Sequence, residues 1–147
     1  MRMSRLSDKD KSAESRSVSR RLLEHIPVGS TVCAYFAMPS EIQLDLYVEE
    51  ALKRGDTIYL PCFEDGRMVF RQYTTETELI SGPLGTKDPP PSSPELERTA
   101  VDFVIVPGRA FDRQGNRMGR GNGGFDLWIQ AQRTVNQKTK YLGTAFD

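Results

Sequence analysis

Four short apolar runs set the limits on this chain's fold: Thr31–Ala37 (TVCAYFA), Thr57–Phe63 (TIYLPCF), Asp102–Pro107 (DFVIVP) and Tyr141–Phe146 (YLGTAF). Each is rich in β-branched and aromatic residues and too short for a helix, which marks it as a strand. The intervals carry helical periodicity instead. Ser7 and Asp10 make a helix-start box, after which Val18, Leu22, Leu23 and Ile26 recur at helical spacing up to Pro27. Ser40 opens a second box, SEIQ, and Leu44, Tyr47, Val48, Ala51 and Leu52 form an i, i+3, i+4, i+7, i+8 stripe that stops at Gly55. A third helix is expected from about Phe125 to Gln137. Alternating strands and helices predict an α/β fold with a largely parallel sheet, because parallel neighbours need a crossover long enough to hold a helix. Met68–Tyr73 (MVFRQY) adds one antiparallel edge, joined to TIYLPCF through the Asp65-Gly66 pair that favours a tight reversal. Ser81–Glu97, crowded with prolines and glycines, is expected to be a long surface loop without regular ladders.

A chain of 147 residues fits one domain, here residues 1–147. Lysines plus arginines equal aspartates plus glutamates at 20 each, so no global field draws the protein to nucleic acid or to a membrane. An anion site must be local. The polar N-terminus lacks the apolar block of a secretory signal, and no run approaches membrane-spanning length. The expectation is a cytoplasmic monomer with a small-molecule substrate and neither a nucleic-acid nor a membrane partner. Cys33 and Cys62 sit inside separate strand-like runs, which suits packed, reduced thiols, and they have no metal-ligand spacing with His25.

The chemistry concentrates in NRMGRGNGGFDLWI, Asn116–Ile129. Gly119, Gly121, Gly123 and Gly124 let the backbone approach a ligand without interference from Cβ atoms, so that successive amides can converge on one anion. A helix opening at Phe125 adds its free amides and positive dipole end, and Arg117 and Arg120 add forked donors suited to phosphate oxygens. Asp126 either caps that helix or holds a magnesium ion carrying nucleotide phosphates. An exposed arginine-rich turn is the plainer reading of the same residues. Gly119, Gly121 and Gly124 also fit the dinucleotide fingerprint, with Asp147 placed for a ribose. Against that, eleven or so residues separate DFVIV from the first glycine, where the fingerprint joins strand directly to helix. An RNA-contacting patch of Arg109, Arg113, Arg117 and Arg120 is disfavoured by zero net charge and a single copy.

Taken together, VPGRAFDRQGNRMGRGNGGFD resembles the 5-formyltetrahydrofolate cyclo-ligase family, also called methenyltetrahydrofolate synthetase. That family carries Pro-Gly-x-x-Phe-Asp followed by Gly-x-Arg-x-Gly-x-Gly-x-Gly, two aromatics and an aspartate. Upstream, AYFAMPSEI, LKRGDTIYLPCF and GPLGTKDP are similar to the family's strand with Glu-Ile, its next strand and its Gly-x-x-Gly-x-x-Glu-Pro turn, in the same order. The resemblance implies a three-layer α/β fold of the NagB/RpiA/CoA-transferase-like kind. It also implies conversion of 5-formyltetrahydrofolate to 5,10-methenyltetrahydrofolate, with ATP and Mg2+ consumed as MgATP and ADP and phosphate released. Arg117 and Arg120 would be catalytic. Arg117, Gly119, Arg120, Gly121, Asn122, Gly123, Gly124 and Phe125 would hold the nucleotide, Phe36 and Glu41 the folate, and Asp126 the metal. From the residues alone, Phe36 could equally be ordinary core, and Glu41 an acid in the first turn of helix two. Gly124 stands where the family has an aromatic and Phe125 where it has tyrosine. By this resemblance the family's first basic helical segment and last strand lie beyond the two ends. A folate- or nucleotide-binding remnant without turnover is the alternative.

Overall fold

The computed structural model describes residues 8–37, 41–82, 86–107 and 123–144. Its centre is a five-stranded sheet built from β1 (Thr31–Cys33), β2 (Thr57–Glu64), β3 (Arg67–Tyr73), β6 (Phe103–Pro107) and β7 (Lys140–Thr144). The order across the sheet is β3-β2-β1-β6-β7. Every pairing is parallel except β2 with β3, the expected hairpin. Asp65 (φ 53°) and Gly66 (φ 76°) turn that hairpin with both central residues left-handed, the geometry that matches strand twist and that Asp-Gly tolerates.

Helices α1 (Asp8–His25) and α2 (Asp45–Lys53) cover one face and α3 (Gly123–Val135) the other. The two faces follow from strand alternation. Leu60 shares a cavity wall with Leu44, Val48 and Leu52, whereas Phe70 is the register partner of the adjacent Pro61 and so faces the opposite way. On that second face Phe70 meets Phe125 edge-on at 6.3 Å and Trp128 at 4.6 Å between ring centroids. The sequence expectation of a mostly parallel sheet with helices on both sides is what the structure has.

Several boundaries differ from expectation, three of them beside the candidate site. β1 ends at Cys33 instead of Ala37: Ala34 N still donates to Tyr59 O, after which the chain leaves the ladder. Helix two does not begin at the Ser40 box. It begins at Asp45, with Leu44 as a cap residue that makes no side-chain capping bond. Residues 41–44 run irregularly because their polar groups are engaged tertiarily: Ile42 O accepts from Tyr35 Oη and Gln43 N donates to Ser15 Oγ. Ile42 and Leu44 are meanwhile buried in the core. The third helix starts two residues early, on Gly123, so that Phe125 falls within its first turn.

The proline-rich stretch also does more than cross the surface. Ile80–Ser81 (β4) and Lys87–Asp88 (β5) pair as a small antiparallel ladder. Beyond Pro94 the chain lies along β3: Gln72 N donates to Pro94 O, Leu96 N donates to Phe70 O, and Arg71 bridges to Glu95. Prolines cannot donate, but Leu96 can, and this strap covers what would otherwise be an open sheet edge.

Candidate functional site

The strand order fixes where a ligand can sit. From β1 the chain moves outward to β2 and β3, then crosses back to place β6 on the other flank of β1. The carboxyl ends of β1 and β6 therefore flank the point where the order reverses, the crevice in which open α/β sheets bind ligands. The end of β1 leads into Tyr35, Phe36 and Glu41. The end of β6 leads into residues 108–122, which contain the glycine-arginine motif and connect to α3. At its far end α3 is tied to the amino edge of β6, where Asn136 Nδ2 donates to Thr99 O and Val101 O. A 13-residue helix spans about 20 Å, so Gly123 lies toward the carboxyl edge, with the positive end of the helix directed to the same side as the crevice.

Arg117, Gly119, Arg120, Gly121 and Asn122 lie outside the described residues, as do Arg109, Arg113 and Asp147. Gly123 and Gly124 are the first two residues of α3. The Phe125 ring is committed to the core at 8 % exposure, packed on Phe70. Asp126 is half-buried in the first turn of α3 and engaged in a contact of its own. Among the described residues no group of three or more His, Cys, Asp or Glu converges on a metal-sized space.

Phe36 is not ordinary core. It is 37 % exposed and lines a cavity of about 370 Å³ with Leu44, Val48, Leu52, Leu60 and Tyr73. Asp45 and Glu49 are among its polar walls. Glu41 is not part of that lining, and it is not a first-turn helix acid either; Asp45 has that place. The Glu41 residue is only 8 % exposed, unusual for a carboxylate, and it is already engaged by the surrounding protein. Its segment is held by Tyr35 and Ser15, residues that sequence reading does not single out. The only signal for them was a tyrosine within an apolar run, indistinguishable there from a packing residue.

Burial governs the thiols and the site's tyrosine. Burial raises the Cys33 thiol far above its ordinary range, with Arg98 opposing weakly, and pushes Cys62 up to about 12. Both are free and packed, as their sequence context predicts. Burial likewise raises the Tyr35 phenol, keeping it a neutral donor. No helix among the described residues is long and apolar enough to cross a membrane.

Residues 1–147 match the family described as 5-formyltetrahydrofolate cyclo-ligase. The Escherichia coli (strain K12) protein named 5-formyltetrahydrofolate cyclo-ligase is 28% identical over 138 residues, covering 90% of this chain and 75% of that protein. A Schizosaccharomyces pombe protein named probable 5-formyltetrahydrofolate cyclo-ligase is 28% identical over 135 residues, 86% of this chain and 66% of its own length. In fold, the chain is similar to the NMR structure of Aquifex aeolicus 5,10-methenyltetrahydrofolate synthetase, with a TM-score of 0.73 and 23% identity over 99% of this chain and 78% of that one.

Proposed function

The chain belongs to the 5-formyltetrahydrofolate cyclo-ligase family, and from that premise we propose that it converts 5-formyltetrahydrofolate to 5,10-methenyltetrahydrofolate with ATP, as one α/β domain over residues 1–147. The observation that carries this reading is the reversal of strand order between β1 and β6. Phe36 and Glu41 follow the carboxyl end of β1 and the glycine-arginine motif follows that of β6, which supports one crevice serving both.

In this reading the formyl oxygen attacks the terminal phosphorus of ATP and ADP leaves. N10 then attacks the activated formyl carbon and gives up its proton. The oxygen departs as inorganic phosphate, leaving the ring closed. Such chemistry asks a protein chiefly for positioning and for neutralisation of spreading negative charge. Arg117 and Arg120 would supply fixed cations, and Gly119, Gly121, Asn122, Gly123, Gly124 and the Phe125 main chain would supply amides. The opening of α3 at Gly123 fits this donor set, because a helix start presents unpaired N–H groups and positive potential to an anion. Mg2+ characteristically takes one or two protein carboxylates with the rest of its shell from phosphate and water, and Asp126 would help hold it. Phe36 would offer an apolar face to the pterin, and Glu41 a buried carboxylate to its N–H donors.

The test is direct turnover: the protein is mixed with 5-formyltetrahydrofolate and MgATP, and the methenyl chromophore is followed together with ADP. Folded protein that yields neither refutes the catalytic reading. Calorimetric binding of folate or ATP without product would instead support the non-catalytic binding remnant, which is favoured by the glycine at 124 and by the burial of the Phe125 ring against Phe70.

A further inference from the structure

We infer that Tyr35 is a positioning residue for Glu41: its hydroxyl, held by Thr144, fixes the irregular segment that presents the carboxylate to the folate. This rests on the reading of Glu41 as a folate contact given above.

The proton accounting is closed. Tyr35 Oη lies 2.8 Å from Ile42 O and 2.6 Å from Thr144 Oγ1. A carbonyl only accepts, so the single phenolic proton goes to Ile42. Thr144 must then donate to the tyrosine oxygen, in preference to the longer 3.4 Å contact with Val106 O. Thr144, Tyr35 and Ile42 therefore form a directed chain of hydrogen bonds. All three residues are buried, at 4 %, 4 % and 1 % exposure, so water does not compete for these groups. Ile42 is the neighbour of Glu41, and the backbone of residues 41–43 lies outside every described helix and strand, α2 taking up only Leu44 O through Val48 N. A further tertiary anchor, Ser15 Oγ accepting from Gln43 N, comes from α1. Through Thr144, the last residue of β7, Tyr35 thus ties the Glu41 segment to the sheet.

The matched control is Tyr47. It is also a fully buried tyrosine, but its hydroxyl has no partner among the described residues. Tyr35→Phe, Thr144→Val and Tyr47→Phe are each compared with wild type in three readouts: the folate KM, the ATP KM, and amide exchange at Gln43. Tyr35→Phe is expected to raise the folate KM roughly tenfold, the scale of one hydrogen bond, with ATP KM within about twofold. Exchange at Gln43 should quicken. Thr144→Val, which leaves the bond to Ile42 in place, should show a smaller change of the same kind, and Tyr47→Phe none. In a Glu41→Gln background the Tyr35→Phe effect on folate should vanish, because there is no carboxylate left to place.

Equal rises in both KM values, or a folate effect that persists undiminished in Glu41→Gln, would overturn the inference. If wild type neither binds nor turns over folate, the functional reading falls by itself. The pinning of the segment is then decided by Gln43 exchange alone, where unchanged protection in Tyr35→Phe refutes it.

Discussion

Removal of the Arg54 side chain should be among the costliest single truncations outside the apolar core. Its guanidinium donates at 2.7 Å to Leu23 O, at 2.6 Å to Ile26 O and at 2.9 Å to Asp56 Oδ2. Asp56 is itself enclosed, its side chain 0% exposed, and its other oxygen accepts from Gly29 N at 2.6 Å. One cation therefore closes the carboxyl end of α1, the entry to β1 and the exit from α2. Arg54→Ala removes two charge-assisted bonds to carbonyls and strands a buried carboxylate with one donor. Breaking a buried pair by deleting one partner costs about 3–5 kcal/mol, and the 21% exposure of the arginine side chain argues for the lower end, roughly 3 kcal/mol. For a domain of this size that corresponds to a fall in Tm of roughly 6–12 °C. Urea unfolding would read it as a lower midpoint at unchanged slope. The cycle with Asp56→Ala isolates the pair: the double variant should lie well short of the sum, since neither charge remains to be stranded. A loss below about 0.5 kcal/mol, or strict additivity, would show that water replaces the guanidinium at no cost and that the clamp reasoning is wrong.

On the functional side, Glu41→Gln should raise the folate KM by about 10–100-fold while ATP affinity stays unchanged, the scale of a hydrogen bond to a charged group; equal weakening of both ligands would exclude a folate-specific role. Arg117→Ala and Arg120→Ala should each weaken ATP binding by about 1.5–3 kcal/mol by calorimetry, and wild-type affinity in both would mean that neither guanidinium meets phosphate. Glu64 is held below the ordinary carboxylate range by its paired bonds from Arg71 Nε and Nη2 at 2.6 and 2.8 Å. A depressed folded-state value means that its contribution is complete above the unfolded value near about 4.3 and is lost as pH falls below it. Urea midpoints at neutral and acid pH should therefore converge for wild type and Glu64→Gln as pH drops, and parallel curves would contradict the pairing. Gly82→Ala would place a methyl against Thr86 Oγ1 and within 2.6 Å of Asp88 Oδ2. It should cost about 1–3 kcal/mol in chemical denaturation, an overpacking penalty that a neutral result would rule out.

What could be read from the chain follows from how local each cause is. The β2–β3 hairpin was legible because Asp65-Gly66 encodes its own turn, and α3 because Phe125, Trp128 and Ile129 repeat at helical spacing toward one face. The start of α2 was not. SEIQ satisfies the local capping pattern, yet Tyr35 and Ser15 claim the backbone groups that a first helical turn would have used. Those partners come from 7 and 28 residues away, outside the four-residue capping pattern. The same distance hid the strap: prolines argue against a ladder, and only the approach of Leu96 to Phe70 reveals that one side of the segment can still pair. At the candidate site, the anion-binding reading of the glycine-arginine motif falls on residues outside the described ones, while the lip position of Phe36 and the enclosure of Glu41 depended on where the strand order reverses.

That reversal carries a mechanical consequence. The β2–β3 ladder has seven register pairs and the β6–β7 ladder five, but β1 and β6 share only two, Val32↔Phe103 and Cys33↔Val104. Two well-stitched leaflets meet along a short seam whose open end is the crevice. A molecule that rests one end on the Phe36–Glu41 side and the other beyond Pro107 acts as a clasp across it, so occupancy should stiffen amides at Cys33 and Val104 more than those at the hairpin tip.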